Sequence, residues 1–322
     1  MRYVEVGGTR LSVIGLGTWQ FGSREWGYGR DYASSEAGAI TNRALDLGIN
    51  LVDTAELYGF GQSERIVGRA LAARRDGAFV ATKIAPFVPF EPVIGRRARG
   101  SARRLGVDRI DLYQVHWPNP LFPSAPMFHA LGRLRRQGVF AHLGVSNHSL
   151  TGWRQAERDF AGPVLSNQVS YSLAVRSPET DLLGWAQAND RLIIAYSPLA
   201  QGLLSGRYTG SNPPGGVRAT NALFLPENLE RASGLLGSLL AIAAAHDATA
   251  SQVALAWLIR RPNVVVIPGA SSVAQLESNA AAAALDLTDE EDRELTAASD
   301  AFHPQTGPAA VPDLVKARLH RR

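Results

Sequence analysis

The sequence predicts an α/β fold, a (β/α)8 TIM barrel with an N-terminal β-hairpin, on three observations. Short apolar or β-branched runs alternate with longer amphipathic segments, giving eight strand-helix units. The runs are near-continuously apolar, as strands buried on both faces of a parallel sheet are. Eight such units in about 250 residues are the size of a closed parallel barrel. A doubly wound sheet is the alternative architecture. No Ser/Gly/Pro-rich linker or low-complexity segment divides the 322 residues, which therefore read as one domain, 1–322.

The opening "MRYVEVGGTRLSV" alternates like a strand, a Gly-Gly turn and a second strand, a hairpin expected to plug the lower end of the barrel. Strand one, "VIGLGTW", precedes a helix over Ser35–Leu47; strand two, "NLVDTA", one over Ser63–Arg74; strand three, "FVATKI", one over Pro92–Arg104. Strand four, "IDLYQVH", precedes Met127–Gln137; strand five, "FAHLGVS", Leu150–Phe160; strand six, "VLSNQVS", Pro178–Ala188. Strand seven, "LIIAYSP", leads into Leu229–Arg260, read as one interrupted helix or two, and strand eight, "NVVVIPG", into Val273–Ala284. The segment after strand seven, "LAQGLLSGRYTGSNPPGGVRATNALFLPEN", exceeds ordinary loop lengths, and such loops usually serve as lids or binding loops.

Composition excludes several function classes. With 45% hydrophobic and 19% charged residues the chain reads as soluble and globular. The absence of cysteine removes disulfides and thiolate metal sites. The seven histidines show no metal-ligand spacing, and no metal is expected. The most apolar stretch, Gly234–Ala245, falls short of the roughly 20 residues a membrane span needs. The N-terminus lacks a signal peptide's apolar core, so a cytoplasmic location is expected. The charge of +4 is carried almost wholly by scattered arginines. Their local clusters, Arg96–Arg104, Arg133–Arg136 and the C-terminal tail, read as solvated helix faces, and no nucleic-acid motif accompanies them.

Lysine is rare here: Lys83, in an apolar strand, and Lys316, near the C-terminus, are the only two. On a barrel the strand C-termini converge on one mouth. Asp53 ends strand two, Lys83 lies near the end of strand three, His116 ends strand four, and Tyr58 follows Asp53 by five residues. A buried ammonium needs a counter-charge, so an Asp53–Lys83 pair is expected. A tyrosine beside that ammonium has its phenolate favoured, and a lowered pKa is expected for Tyr58. Taken singly, these residues also read as a structural ion pair, a core tyrosine and a satisfied core histidine. Convergence of all four on one end favours catalysis.

"NLVDTAELYG", "FVATKIAP" and "IDLYQVHWP" resemble the three signature segments of the aldo-keto reductase superfamily. "GLGTWQFG", "LGVSN", "SNQVSYSL", "AYSPLAQGLLSGRY" and "IPGASSVAQLESN" match its cofactor segments in order, and the resemblance covers about Tyr3 to Asp300. The "SPLAQG" loop and "GASS" ending look like the branch containing potassium-channel beta subunits and many bacterial reductases. The resemblance implies that Tyr58 protonates a carbonyl oxygen as hydride arrives from a nicotinamide. It further implies that Lys83, paired with Asp53, tunes the tyrosine, and that His116 orients the carbonyl. His116 is not the glutamate associated with double-bond reductases, which points to aldehydes and ketones.

The implied cofactor is NADP(H), with NAD(H) less favoured. Ser146, Asn147 and Gln168 would hold the carboxamide, and Tyr196 would stack on the nicotinamide ring. Gly17, Thr18, Trp19 and Asp53 belong to the same wall. Ser197, Pro198, Leu199, Gln201 and Gly202, with Gly269 and Ser271 at the start of the last barrel helix, suggest a pyrophosphate site at a helix N-terminus. Many relatives carry a basic residue at the position of Ser271; here Arg207 and Arg218, on the loop after strand seven, supply the basic groups. Gln275 and Asn279 would reach the adenine. Trp19, Trp26, Phe87 and Trp117, with Tyr58 and His116, form the expected substrate pocket. The expected partner is a small carbonyl compound, without nucleic acid or membrane, and the family weights toward a monomer. Two rivals stand beside this reading: a cofactor-sensing subunit with little turnover, and an aldolase using Lys83 as a Schiff-base nucleophile.

Overall fold

The computed structural model describes residues 1–24, 27–29 and 34–306. Strands β1 (Tyr3–Val6) and β2 (Thr9–Ser12) pair antiparallel, with Val6 opposite Thr9. Gly7 and Gly8 both have positive φ, 57° and 73°, which the tight two-residue turn requires. A Cβ on Gly7 would come within 2.4 Å of Leu165 Cδ1, so the turn also presses on the floor of the barrel.

The barrel strands are β3 (Leu16–Gly17), β4 (Leu51–Asp53), β5 (Phe79–Ile84), β6 (Ile110–Val115), β7 (Phe140–Ser146), β8 (Val164–Ser170), β9 (Leu192–Tyr196) and β10 (Val264–Val266), all parallel and adjacent in chain order. Bridges Ile14–Val266 and Gly17–Gly269 join the first strand to the last, and Gly15 and Gly17 donate to the carbonyls of Val266 and Pro268 at 2.7 and 3.1 Å. Chain-order adjacency and this closure exclude a doubly wound sheet. Gly17 has to be glycine for the seam to form: a Cβ there would lie 2.6 Å from the Ile267 carbonyl oxygen.

The helices are α1 (Ser34–Asp46), α2 (Gln62–Leu71), α3 (Glu91–Leu105), α4 (Ala125–Arg136), α5 (Leu150–Phe160), α6 (Leu182–Ala188), α7 (Pro226–Arg231), α8 (Ser233–Ala245), α9 (Ala250–Ile259), α10 (Val273–Ala281) and α11 (Asp289–Asp300). The Leu229–Arg260 segment, expected as one interrupted helix or two, is interrupted between α8 and α9, where Asp247 adopts φ 49° and Thr249 starts α9 with a capping box to Gln252. Ser177–Glu179 forms a separate 3-10 turn, so α6 starts at Leu182 rather than Pro178. Helix α11 was not expected from the apolar pattern, although Thr288 and Glu291 form the capping box that marks its start. Among the described residues no single helix is long and apolar enough to cross a membrane, and α8 and α9, apolar together, are bent by 94°.

Two apolar layers follow from the period of two along each strand. Leu51, Ala81, Leu112, Leu165, Leu192, Ile194, Val265 and Ile267 fill the interior together with Val6 and Leu11, so the hairpin does plug the lower end. Val52, Val80, Tyr113, Val145 and Val264 belong to the layer shared with the helices. Counting two residues on from inward-facing Leu51, Ala81 and Leu112 reaches Asp53, Lys83 and Gln114. Polar groups thus enter the interior only toward the strand C-termini.

Candidate active site

Lys83 is fully buried, and its Nζ donates to Asp53 Oδ1 (2.5 Å), the Thr54 carbonyl (2.9 Å) and Tyr58 Oη (3.1 Å). An ammonium has three protons, and each has an acceptor. Burial pulls the Lys83 pKa down, but the attraction of Asp53 and its other partners outweighs burial and the net direction is up. Lys83 therefore remains an ammonium, which contradicts the Schiff-base reading: a nucleophilic lysine needs a depressed pKa and a free lone pair.

The other Asp53 oxygen, Oδ2, accepts from Gln168 Nε2 (2.8 Å) and Gln114 Nε2 (3.3 Å), which completes the neutralisation of a carboxylate only 1% exposed. Gln168, expected at a carboxamide, lines the cavity while its amide nitrogen donates to Asp53. Gln114 was not anticipated, although its position two residues before His116 on an inward-facing register was the available signal. Ser63 was also missed. Its buried hydroxyl bonds Thr18 Oγ1 (2.7 Å) and Thr54 Oγ1 (2.9 Å), tying the ends of β3 and β4 to the start of α2.

Tyr58 departs from expectation. Burial raises its pKa more than Lys83 lowers it, and Asp53 adds to the rise, so the phenol sits above its ordinary value of 10.0. The sequence shows the ammonium but not how thoroughly the fold removes water from the phenol, and that desolvation decides the sign. The His116 ring meets Tyr58 edge-on, centroids 5.8 Å apart. Burial, with Lys83 adding to it, lowers the His116 pKa to about 3, so the imidazole is neutral near pH 7. Its buried Nδ1 has no hydrogen-bond partner among the described residues.

Above these groups opens a cavity of about 990 Å³. It is lined by Gly17, Thr18, Trp19, Asp53, Tyr58, His116 and Trp117 at one end and by Gly269, Ser271, Gln275 and Asn279 at the other, with Ser146, Asn147, Gln168 and Tyr196 between. Ser197, Pro198, Leu199, Gln201, Gly202, Arg207 and Arg218 complete the wall along the loop after β9. Lys83 is buried beneath this surface rather than part of it. Phe87 does not line the cavity; it is exposed and meets Trp117 edge-on at 5.5 Å. Trp26 lies outside the described residues. Thr249, Ser251 and Ser278 join the far end, and no local motif marks them as part of its wall.

The wall has the features of an anion cradle. Ala200, Gln201 and Gly202 are consecutively left-handed (φ 48°, 57° and 100°), and the N–H groups of Ala200 and Gly202 donate to the Ser197 and Leu199 carbonyls at 2.9 and 2.8 Å, which makes a tight turn along the wall. Ser272 caps α10 by accepting from Gln275 N, so the start of that helix faces the same end. The cations in the lining are Arg207 and Arg218, both on this loop, and Arg218 Nε donates to the Gln201 carbonyl at 2.9 Å. Among the described residues the only acidic side chain in the lining is Asp53, already paired. Tyr196 Oη donates to Asn147 Oδ1 at 3.0 Å, and Asn147 is left-handed at φ 58°.

Comparison with known proteins agrees with this arrangement. The Aldo/keto reductase family model matches residues 13–300. This chain is an aldo/keto reductase. Over its whole length the reductase is 51% identical to an uncharacterized oxidoreductase of Mycobacterium tuberculosis, itself covered completely. It is 31% identical to an NADH-specific methylglyoxal reductase of Escherichia coli, covering 90% of this chain and 95% of that one. An aldo/keto reductase crystal structure from Klebsiella pneumoniae, in complex with NADP and acetate, superposes with a TM-score of 0.75 at 30% identity, covering 95% and 98% of the two chains.

Some cofactor expectations for this aldo/keto reductase need restating. Gly17 and Thr18 line the cavity, but Gly17 is fixed by the barrel seam, and Thr18 Oγ1 is committed to the Asp53 carbonyl (2.8 Å) and Ser63. A Cβ on Gly269 would lie 2.7 Å from Gln20 Oε1, so that side chain packs against the glycine. Gln275 Oε1 accepts from the backbone N and Oγ of Ser271 (2.9 and 3.0 Å), and Asn279 Nδ2 donates to the Gly269 carbonyl (3.3 Å).

Proposed function

We propose that this aldo/keto reductase is an NADPH-dependent oxidoreductase that reduces aldehyde or ketone carbonyls to alcohols, with Tyr58 as general acid. The observation that carries the reading is Lys83 Nζ held between Asp53 Oδ1 and Tyr58 Oη, at 2.5 and 3.1 Å, beneath a cavity that also receives His116. A bound nicotinamide would supply hydride to the carbonyl carbon. Everything else is the work of this chain's side chains.

Tyr58 enters the cycle protonated, because burial keeps its phenol above the ordinary range. It transfers that proton to the carbonyl oxygen. The phenolate left behind lies 3.1 Å from the Lys83 ammonium, whose attraction stabilises it in a site with little water to do so. Asp53, held by two glutamine amides, keeps Lys83 charged throughout. His116, neutral near pH 7, can offer a ring N–H to the carbonyl without competing as an acid. Trp19 and Trp117 supply apolar surface beside the reacting groups.

Ser146, Asn147, Gln168 and Tyr196, which share one stretch of the cavity wall, would hold a nicotinamide and its carboxamide, and the start of α10 would meet a pyrophosphate. Arg207 and Arg218 favour the phosphorylated dinucleotide, since a guanidinium matches phosphate geometry. Relatives of both kinds exist, one named NADH-specific and one crystallised with NADP. We further propose a single-domain, cytoplasmic, monomeric enzyme acting on a small carbonyl compound.

The test is a fluorescence titration with NADPH and NADH followed by a carbonyl panel, on the parent and on Tyr58→Phe. Removing a general acid costs about 10²–10⁴ in rate. The variant should lose reduction by that factor and keep its dinucleotide affinity. Undiminished turnover would refute the assignment of the acid.

A further inference from the structure

A second concave site lies between α2 and α3, sharing no lining residue with the large cavity. It is a wide-open cleft of about 460 Å³, lined by Arg65, Arg69, Gly100, Arg103 and Arg104. On sequence alone, Arg103 and Arg104 belong to a solvated helix face. The fold instead brings them against two arginines from another helix, Arg65 and Arg69, one turn apart on α2.

Four guanidinium groups around one cleft repel one another unless something negative offsets them. The carboxylate paired to this cluster is Glu64, fully buried, which bonds Arg104 Nε at 2.5 Å and accepts from Thr82 Oγ1 at 2.7 Å. Arg69 Nη2 donates to Ser34 Oγ at 3.1 Å, and Arg104 Nη2 to Ser101 Oγ at 3.1 Å. The guanidinium groups of Arg65 and Arg103, both exposed, have no hydrogen-bond or ion-pair partner among the described residues.

Gly100 leaves the cleft open. A Cβ there would lie 3.3 Å from Arg104 Nη1 and 3.9 Å from Arg103 Nη2, so the two forks converge on the space that this glycine leaves. Glycine inside a helix is less favourable than alanine, and its effect here is to keep a methyl group out of that space. Arginine forks match phosphate oxygens in bidentate geometry, and several of them together favour a multivalent anion over a monovalent one. The space is wide enough for a short phosphate chain.

We propose that this cleft is a binding site for a small, free oligophosphate, a diphosphate or triphosphate group, separate from the dinucleotide cavity. The probe is inorganic triphosphate, titrated calorimetrically into the full chain, with inorganic monophosphate as the valence comparison. Triphosphate should bind and monophosphate should bind far more weakly. Arg65→Gln/Arg103→Gln, at exposed positions, should fold with an unchanged or slightly raised melting temperature, since repulsion is relieved, and weaken triphosphate binding roughly tenfold or more, as the loss of two charge-assisted contacts implies.

Gly100→Ala should raise the melting temperature slightly and also weaken triphosphate binding. Arg207→Gln, in the large cavity, should leave that affinity unchanged. No binding at concentrations on the order of millimolar, equal affinity in the parent and the double variant, or loss of affinity in Arg207→Gln would each overturn the proposal. The last outcome would place the anion in the dinucleotide cavity instead.

Discussion

Replacing Lys83 by methionine tests the electrostatic centre of the barrel directly. Methionine fills a similar unbranched volume, so the substitution removes mainly a charge. Three hydrogen bonds go with it, to Asp53 Oδ1, the Thr54 carbonyl and Tyr58 Oη. Asp53, 1% exposed, keeps Gln168 and Gln114 as donors but loses its counter-charge. Breaking a buried pair in this way costs about 3–5 kcal/mol, because the remaining ion is left uncompensated. For a chain of 322 residues the entropy of unfolding is about 0.7 kcal/mol/K, so the melting temperature should fall by roughly 4–7 °C.

The double variant Asp53→Asn/Lys83→Met removes the orphaned charge and should recover part of that loss, although Lys83→Met adds nothing favourable of its own. Thermal unfolding of parent, both single variants and the double variant forms a thermodynamic cycle with an expected coupling energy of about 1–3 kcal/mol. Carbonyl reduction should become negligible in Lys83→Met and in the double variant, where the phenolate of Tyr58 has no neighbouring ammonium, whereas Asp53→Asn keeps that ammonium 3.1 Å from Tyr58 Oη and should retain more activity. If Lys83→Met melted within a degree of the parent, or the cycle showed no coupling, the buried ion pair would not exist as described.

Further expectations concern individual groups. The His116 pKa is depressed to about 3 from an ordinary 6.5, so its contribution to stability is complete above pH 6.5 and is lost as pH falls toward 3; His116→Gln should flatten the acid limb of melting temperature against pH. In Gly17→Ala the new methyl would meet the Ile267 carbonyl oxygen, and overpacking at this backbone contact should cost about 1–3 kcal/mol by denaturant unfolding. Ser271→Arg would add a fork at the far end of the cavity, and the NADPH-to-NADH affinity ratio should rise roughly tenfold in fluorescence titrations.

Much of the barrel was legible because burial on both faces leaves strands almost wholly apolar. Seven of the eight expected barrel runs contain a strand of at least three residues, and "VIGLGTW" contributes two residues plus the bridges at Ile14 and Gly17. The site was legible where it depends on register: Asp53, Lys83 and His116 end successive strands, and parallel pairing of Asp53 with Ala81 and Lys83 with Gln114 aligns them. The Asp53–Lys83 pair was predictable, because a lone buried ammonium is too costly. Gln168 as its further partner was not, being 115 residues from Asp53 in the chain. The displacement of Phe87 from the cavity was equally hidden, since whether a loop aromatic turns inward depends on packing that no local pattern encodes.

The sequence by itself therefore determined which groups meet at the barrel mouth, because strand periodicity and parallel order are local properties that add up along the chain. Tertiary structure alone decided how those groups behave. The direction of the Tyr58 shift depends on water excluded by distant residues, and the arginine cleft arises because packing of α2 on α3 brings together charges that each helix would otherwise show to solvent. Desolvation and charge convergence depend on three-dimensional distance, which sequence separation does not fix.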